Sequence, residues 1–132
     1  MIVTNVPDTR RCAHWAFICE ASSCRWDGAP AVRDALGAAA QDRAEGDVAV
    51  VRTGCLGLCG AGPAMVTYPA GDVYLRVQPG DAPELVAALA EGGSLSRRRV
   101  RAPQWYRDRM LDRLRYYVEL LRRRSTPTGQ AT

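Results

Sequence analysis

Two cysteine pairs constrain this chain more than any other feature. Cys19 and Cys24 are spaced C-x4-C, and Cys55 and Cys59 are spaced C-x3-C within Thr53-Gly54-Cys55-Leu56-Gly57-Leu58-Cys59-Gly60-Ala61-Gly62-Pro63. Each pair follows an apolar run of strand length, His14-Trp15-Ala16-Phe17-Ile18-Cys19 in one case and Val48-Ala49-Val50-Val51 in the other. Between the runs, Pro30 opens an alanine-rich segment reaching about Arg43, with Val32, Leu36 and Ala39 at helical spacing. A strand, a crossover helix and a second strand make two parallel neighbours. Both cysteine pairs then leave the same end of their strands, and four sulfurs meet on one edge of the domain.

Downstream, Ala64–Tyr68 and Val73–Val77 flank Pro69-Ala70-Gly71-Asp72, the pattern of a β-hairpin. Asp81 occupies an N-cap position with Glu84 as its capping-box partner, and the helix runs through Leu85, Val86 and Leu89 to Gly92-Gly93. The order β-α-β-β-β-α predicts a two-layer α/β domain over residues 14–95, compatible with a thioredoxin-like fold. Residues 1–13, with a turn at Pro7 and Asp8, read as an irregular arm. Residues 96–132 form a separate segment. It comprises the basic linker Arg97-Arg98-Arg99-Val100-Arg101, an amphipathic helix from Pro103 to about Arg124, and a fraying tail from Ser125. In that helix Leu111, Leu114, Val118 and Leu121 fall at heptad-like spacing, widened by Met110 and Tyr117, while Arg109, Arg113, Tyr116 and Glu119 lie on other faces.

Charge divides along the same boundary. All eighteen basic residues are arginine; residues 1–96 carry seven against eleven acids, a net of −4, and residues 97–132 carry eleven against three, a net of +8. The first reading of the basic helix is intramolecular, its apolar stripe covering the body or a second subunit. Its Arg115–Glu119 and Glu119–Arg123 spacings suit an ion-paired outer face. An anionic membrane surface, an acidic protein or nucleic acid are the partner readings, although nothing marks a base-reading module. No apolar run reaches the eighteen residues of a bilayer span. The start, Met1-Ile2-Val3-Thr4-Asn5-Val6-Pro7-Asp8, has neither the basic residues nor the apolar stretch of a secretory signal, so the expected location is cytoplasmic. In that reducing compartment, five cysteines point to metal binding or redox chemistry.

Four thiolates, a loop with glycines at 54, 57, 60 and 62, and no charged side chain from Thr53 to Tyr68 suit a [2Fe–2S] cluster. Glycines let backbone N–H groups turn toward sulfur, and an uncharged loop does not oppose electron uptake by an anionic centre. A four-cysteine zinc site uses the same residues, although zinc ribbons favour C-x2-C. Local disulfides Cys19–Cys24 and Cys55–Cys59 and buried unligated thiols are the remaining readings. Spacing alone leaves cluster and zinc both open.

The stretches Ala16-Phe17-Ile18-Cys19, Ser23-Cys24-Arg25-Trp26-Asp27-Gly28-Ala29, Gly54-Cys55-Leu56-Gly57-Leu58-Cys59 with Gly62-Pro63, and Tyr68-Pro69-Ala70-Gly71-Asp72-Val73-Tyr74 add a further indication. In this order, residues 14–95 resemble the thioredoxin-like [2Fe–2S] ferredoxins, a family that also includes the small iron–sulfur subunit of respiratory complex one. The resemblance implies that Cys19, Cys24, Cys55 and Cys59 hold one [2Fe–2S] cluster per chain near the surface. It further implies one-electron transfer between a reductase or oxidoreductase and an acceptor protein, commonly by a homodimer, with no enzyme activity of its own. Two alternatives stand beside it: an accessory subunit of an NAD-linked or hydrogen-handling complex, and an iron- or redox-sensing regulator. The basic helix lies outside the family pattern. Cys12 reads as a spare thiol in the arm, and His14 as a strand residue. Trp26 reads either as a cluster shield or partner contact, or as ordinary packing on the crossover helix. Tyr68 and Tyr74 read as fillers of the hairpin's packed or dimer face.

Overall fold

The computed structural model describes residues 2–3, 12–21, 26–42, 48–54, 56–57 and 62–124. The expected turn at Pro7-Asp8 and the tail from Ser125 lie outside the described residues. Among the described residues six strands form one sheet: β1 Ile2–Val3, β2 His14–Cys19, β3 Val48–Thr53, β4 Met65–Tyr68, β5 Val73–Tyr74 and β6 Arg99–Val100, in spatial order β1-β3-β2-β4-β5-β6. The helices are α1 Ala29–Gln41, α2 Ala82–Ala90, preceded by a 3-10 turn at Pro79–Asp81, and α3 Gln104–Arg124.

The centre of the sheet follows from the apolar runs. β2 and β3 are parallel, with register from His14↔Val48 to Cys19↔Thr53. β2 and β4 are antiparallel, with Trp15 opposite Tyr68 and Ile18 opposite Met65. Every residue of β2 from Trp15 to Cys19 is buried, as a strand covered on both faces requires. The crossover helix α1 buries Val32, Leu36 and Ala40, so Ala40 rather than Ala39 completes the stripe. α1 packs on α2 and β3 and forms one layer with α2.

Two short strands extend the sheet beyond the expected elements. Ile2–Val3, within the stretch read as irregular, pairs antiparallel with Arg52 and Val51 and covers the β3 edge. Arg99–Val100 forms a strand on β5 rather than a linker, with Val100 opposite Val73. β5 is shorter than the expected Val73–Val77. The Leu75 N–H still reaches the Arg98 carbonyl at 3.1 Å, but Arg76 adopts φ 55°, a left-handed conformation that turns the chain out of the strand. Tyr74 is fully buried, and its hydroxyl accepts from the Leu95 N–H at 3.1 Å. Tyr68 is half-buried on the hairpin.

The capping expectation at Asp81 is corrected. Its side chain makes no cap bond to α2; it accepts from the Gln78 N–H at 2.9 Å, closing a capping box one turn earlier. It also accepts from Arg97 at 2.8 Å and Arg98 at 2.9 Å, and Arg97 bridges to Glu84 at 3.0 Å. Charged donors outcompete the helix amides for this buried carboxylate. Burial pushes the Asp81 carboxyl up, but the Gln78 N–H and the two guanidiniums outweigh burial and hold it below its ordinary value. A depressed pKa contributes stability that is present above the unfolded value near ~4 and lost as pH falls through the folded one. Asp81→Asn should therefore cost about 2 kcal/mol at neutral pH and flatten the acid limb of a pH–melting profile. A variant with the wild-type acid limb would refute this assignment.

α3 adds a third layer. Over about 31 Å it buries Tyr106, Met110, Leu114, Val118 and Leu121 and packs on β4. Alternation along β2 places Trp15 and Phe17 on one face, with rings stacked at 6.1 Å. Arg122 lies over the Trp15 ring at 5.9 Å and donates to the Cys12 carbonyl at 3.0 Å, placing α3 on this face, opposite α1 and α2. Gly71, at φ 74°, allows close approach: a Cβ there would lie 3.2 Å from Leu111. The outer face carries an Arg115–Asp112 pair at 3.2 Å, in place of the expected Arg115–Glu119 pairing.

Candidate metal centre

The apolar run of β2 ends on Cys19, which is 3% exposed. Its N–H donates to the Ala64 carbonyl at 3.0 Å, and the next N–H, of Glu20, donates to the Thr53 carbonyl at 2.9 Å. These two bonds tie the end of β2, the end of β3 and the segment entering β4 into one corner. Cys24, Cys55 and Cys59 lie outside the described residues, and among the described residues no three metal-ligating side chains converge. Gly60, expected with Gly54 and Gly57 to shape the loop, also lies outside them. Gly57 has φ 78°, a conformation that glycine adopts at no steric cost.

Two features of this corner escape sequence reasoning. Glu20, adjacent to Cys19, has a carboxylate with 2% of its side chain exposed, and Arg33 Nη1 of α1 donates to both of its oxygens at 3.0 Å. The acid nearest the first cysteine is thereby neutralised, which continues the logic of the uncharged loop. No periodic signal links positions 20 and 33. The second feature is Tyr106, whose hydroxyl donates to the Leu56 carbonyl at 2.6 Å and joins α3 to the residue after Cys55. Extending the helix stripe back one turn from Met110 finds it, since Tyr106, Met110, Leu114 and Val118 recur every fourth residue.

Tyr106→Phe leaves the Leu56 carbonyl without this donor. The expected cost is about 1 kcal/mol, read as a melting point lower by roughly 3–6 °C. A melting point equal to the wild-type value would show that the bond contributes nothing.

The other residues singled out in the sequence sort by position. His14 begins β2, five residues and about 16 Å from Cys19, and is thereby removed from the ligand corner. Cys12 is not a thiol in a loose arm: it is 1% exposed, under α3 and ahead of β2. Arg122, lying over the Trp15 ring, also binds the Cys12 carbonyl, so tertiary packing reaches further toward the N-terminus than the composition of the arm suggests. Trp26 is 90% exposed and therefore does not pack on the crossover helix.

The comparisons with known proteins converge. The family model described as thioredoxin-like [2Fe–2S] ferredoxin matches residues 8–90. A 2Fe-2S ferredoxin of Clostridium pasteurianum is 40% identical over 52 residues, covering 39% of this chain and 51% of that one; the match spans about half of that relative's length. The thioredoxin-like [2Fe–2S] ferredoxin of Aquifex aeolicus, solved at 1.5 Å, superposes with a TM-score of 0.63 at 27% identity, covering 67% of this chain and 97% of that one. A second structure of that ferredoxin gives a TM-score of 0.64 over 68% and 94% of the two chains. α3 lies beyond the residues that the family model matches.

Proposed function

Because the chain belongs to the thioredoxin-like [2Fe–2S] ferredoxin family, we propose that it carries single electrons from a reductase or oxidoreductase to an acceptor protein. The reading rests above all on the match over residues 8–90, a span that contains all four cysteines of the two pairs. In it, Cys19, Cys24, Cys55 and Cys59 hold the two irons. The chemistry of the donor set fits the group: soft thiolates, a loop without charged side chains, a buried Cys19 and a left-handed glycine at position 57. When bound, a [2Fe–2S] centre supplies one-electron redox chemistry. The chain's own part is to hold the ligand corner rigid through the Cys19–Ala64 and Glu20–Thr53 bonds and to cancel the Glu20 charge with Arg33. It breaks no substrate bond, so the protein is a carrier rather than an enzyme.

Trp26, exposed two residues after Cys24, suits a contact with a redox partner. No helix among the described residues is long and apolar enough to cross a membrane. The reading places the protein in the cytoplasm, where thiols persist as metal ligands. The resemblance further favours a homodimer, for which light scattering should return a mass of twice 14.4 kDa; a monomer mass at micromolar concentration would reject it. We retain residues 14–95 as the cluster-bearing unit, with residues 1–13 and 96–132 as its flanks. The deciding experiment is anaerobic purification followed by iron and sulfide counts and by EPR after reduction. Two irons and two sulfides per chain support the carrier; one zinc and no sulfide overturn it.

A further inference from the structure

The arginines of the C-terminal third fall into two groups. Arg97 and Arg98 are consumed by Asp81 and Glu84. Arg99, Arg101 and Arg107 instead converge on one open cavity of about 430 Å³, between the Pro69–Asp72 turn, β6 and the first turn of α3. Among the described residues no acidic side chain forms an ion pair with any of the three. Arg99 donates to the Ser94 hydroxyl at 3.1 Å, and Arg107 donates to the Gly71 and Ala70 carbonyls at 3.4 and 3.2 Å. These uncharged acceptors position the two guanidiniums without cancelling them. Arg101 has no partner among the described residues. Asp72 is the one carboxylate among the described residues of the lining, which leaves a net charge of +2 from three arginines and one acid.

Three like charges gathered around a cavity repel one another unless an anion joins them, and the planar fork of arginine matches phosphate and carboxylate oxygens. A phosphomonoester carries close to two negative charges at neutral pH and so balances this site, whereas a single carboxylate leaves it half satisfied. The cavity exceeds what a phosphate group alone fills and falls in the range of small-molecule sites. Its apolar lining, Val73, Val100 and Ala102, gives an attached organic group a surface to lie on. We propose that this cavity is a binding site for a small organic phosphate, held by Arg99, Arg101 and Arg107. The β2–β4 register sets the Pro69–Asp72 turn beside Trp15, at the end of the sheet away from Cys19. The site is thus separate from the proposed metal centre and independent of that reading.

The test is calorimetric titration of the purified, full-length holoprotein at low ionic strength with AMP and ribose 5-phosphate, alongside inorganic phosphate, adenosine and malonate. The esters should saturate one site per chain and adenosine should not bind. Arg101→Gln should weaken ester binding at least tenfold, and the R99Q/R101Q pair should abolish it. Arg101 is exposed and unpartnered among the described residues, so its replacement should leave the melting point and visible spectrum unchanged and isolate the binding effect. Four results would overturn the proposal: no saturable binding of either ester, undiminished binding by the R99Q/R101Q pair, inorganic phosphate binding as tightly as the esters, or malonate doing so.

Discussion

Leu114→Asp should detach α3 from the sheet and lower the stability of the whole chain by more than about 4 kcal/mol. Leu114 is fully buried at the middle of the row from Tyr106 to Leu121, above the face that carries Trp15 and Phe17. Truncating such a leucine to alanine costs about 2–5 kcal/mol. Aspartate adds the penalty of a carboxylate with no opposite charge built to receive it. Against a typical total of about 5–15 kcal/mol, that loss threatens the native state. Because α3 covers an apolar sheet face, its release also exposes a surface that promotes aggregation. Stopping the chain after Arg101 should have the same consequence by a different route. Chemical denaturation followed by far-UV circular dichroism measures the first, and solubility the second. A Leu114→Asp protein within about 1 kcal/mol of wild type would mean that α3 is an optional appendage rather than a layer of the fold.

Cys19→Ala should abolish the [2Fe–2S] spectrum and drop bound iron from two per chain toward zero, while Cys12→Ala should retain both. The two cysteines are equally buried, so burial does not distinguish them. Position does. Cys19 stands where the end of β2 is bonded to the segments bearing Thr53 and Ala64, whereas Cys12 lies ahead of the opposite end of β2 beneath Arg122. An alanine at position 19 removes a thiolate from the proposed four-donor set, and a bound group that stabilises only the folded state should be lost with it. The melting point of Cys19→Ala should therefore fall to that of the iron-free wild-type protein. Cys12→Ala should show only the modest loss of a buried sulfur. Full iron content in Cys19→Ala, or its loss in Cys12→Ala, would reassign the ligand set.

What the linear pattern decided is local. The unbroken apolar run from Trp15 to Cys19 dictates a strand buried on both faces. The spacing of Val32, Leu36 and Ala39 dictates a helix with one inward stripe, which packing completes with Ala40 instead, and the Pro/Gly/Asp turn dictates a hairpin. Cysteine spacing and glycine content likewise narrow the chemistry at the strand ends, because each of these signals repeats over a few residues. Partners chosen at long range stayed invisible. Asp81 looks like a helix cap until Arg97 and Arg98 arrive from sixteen and seventeen residues away. Glu20 looks like an unpaired acid until α1 brings Arg33, and Cys12 looks loose until α3 closes over it. Tyr106 reaches Leu56 across fifty residues of chain. Such contacts depend on where packed layers place side chains in space. The layer made by α3, which buries one sheet face and gathers Arg99, Arg101 and Arg107 around a cavity, exists only once the whole chain has folded.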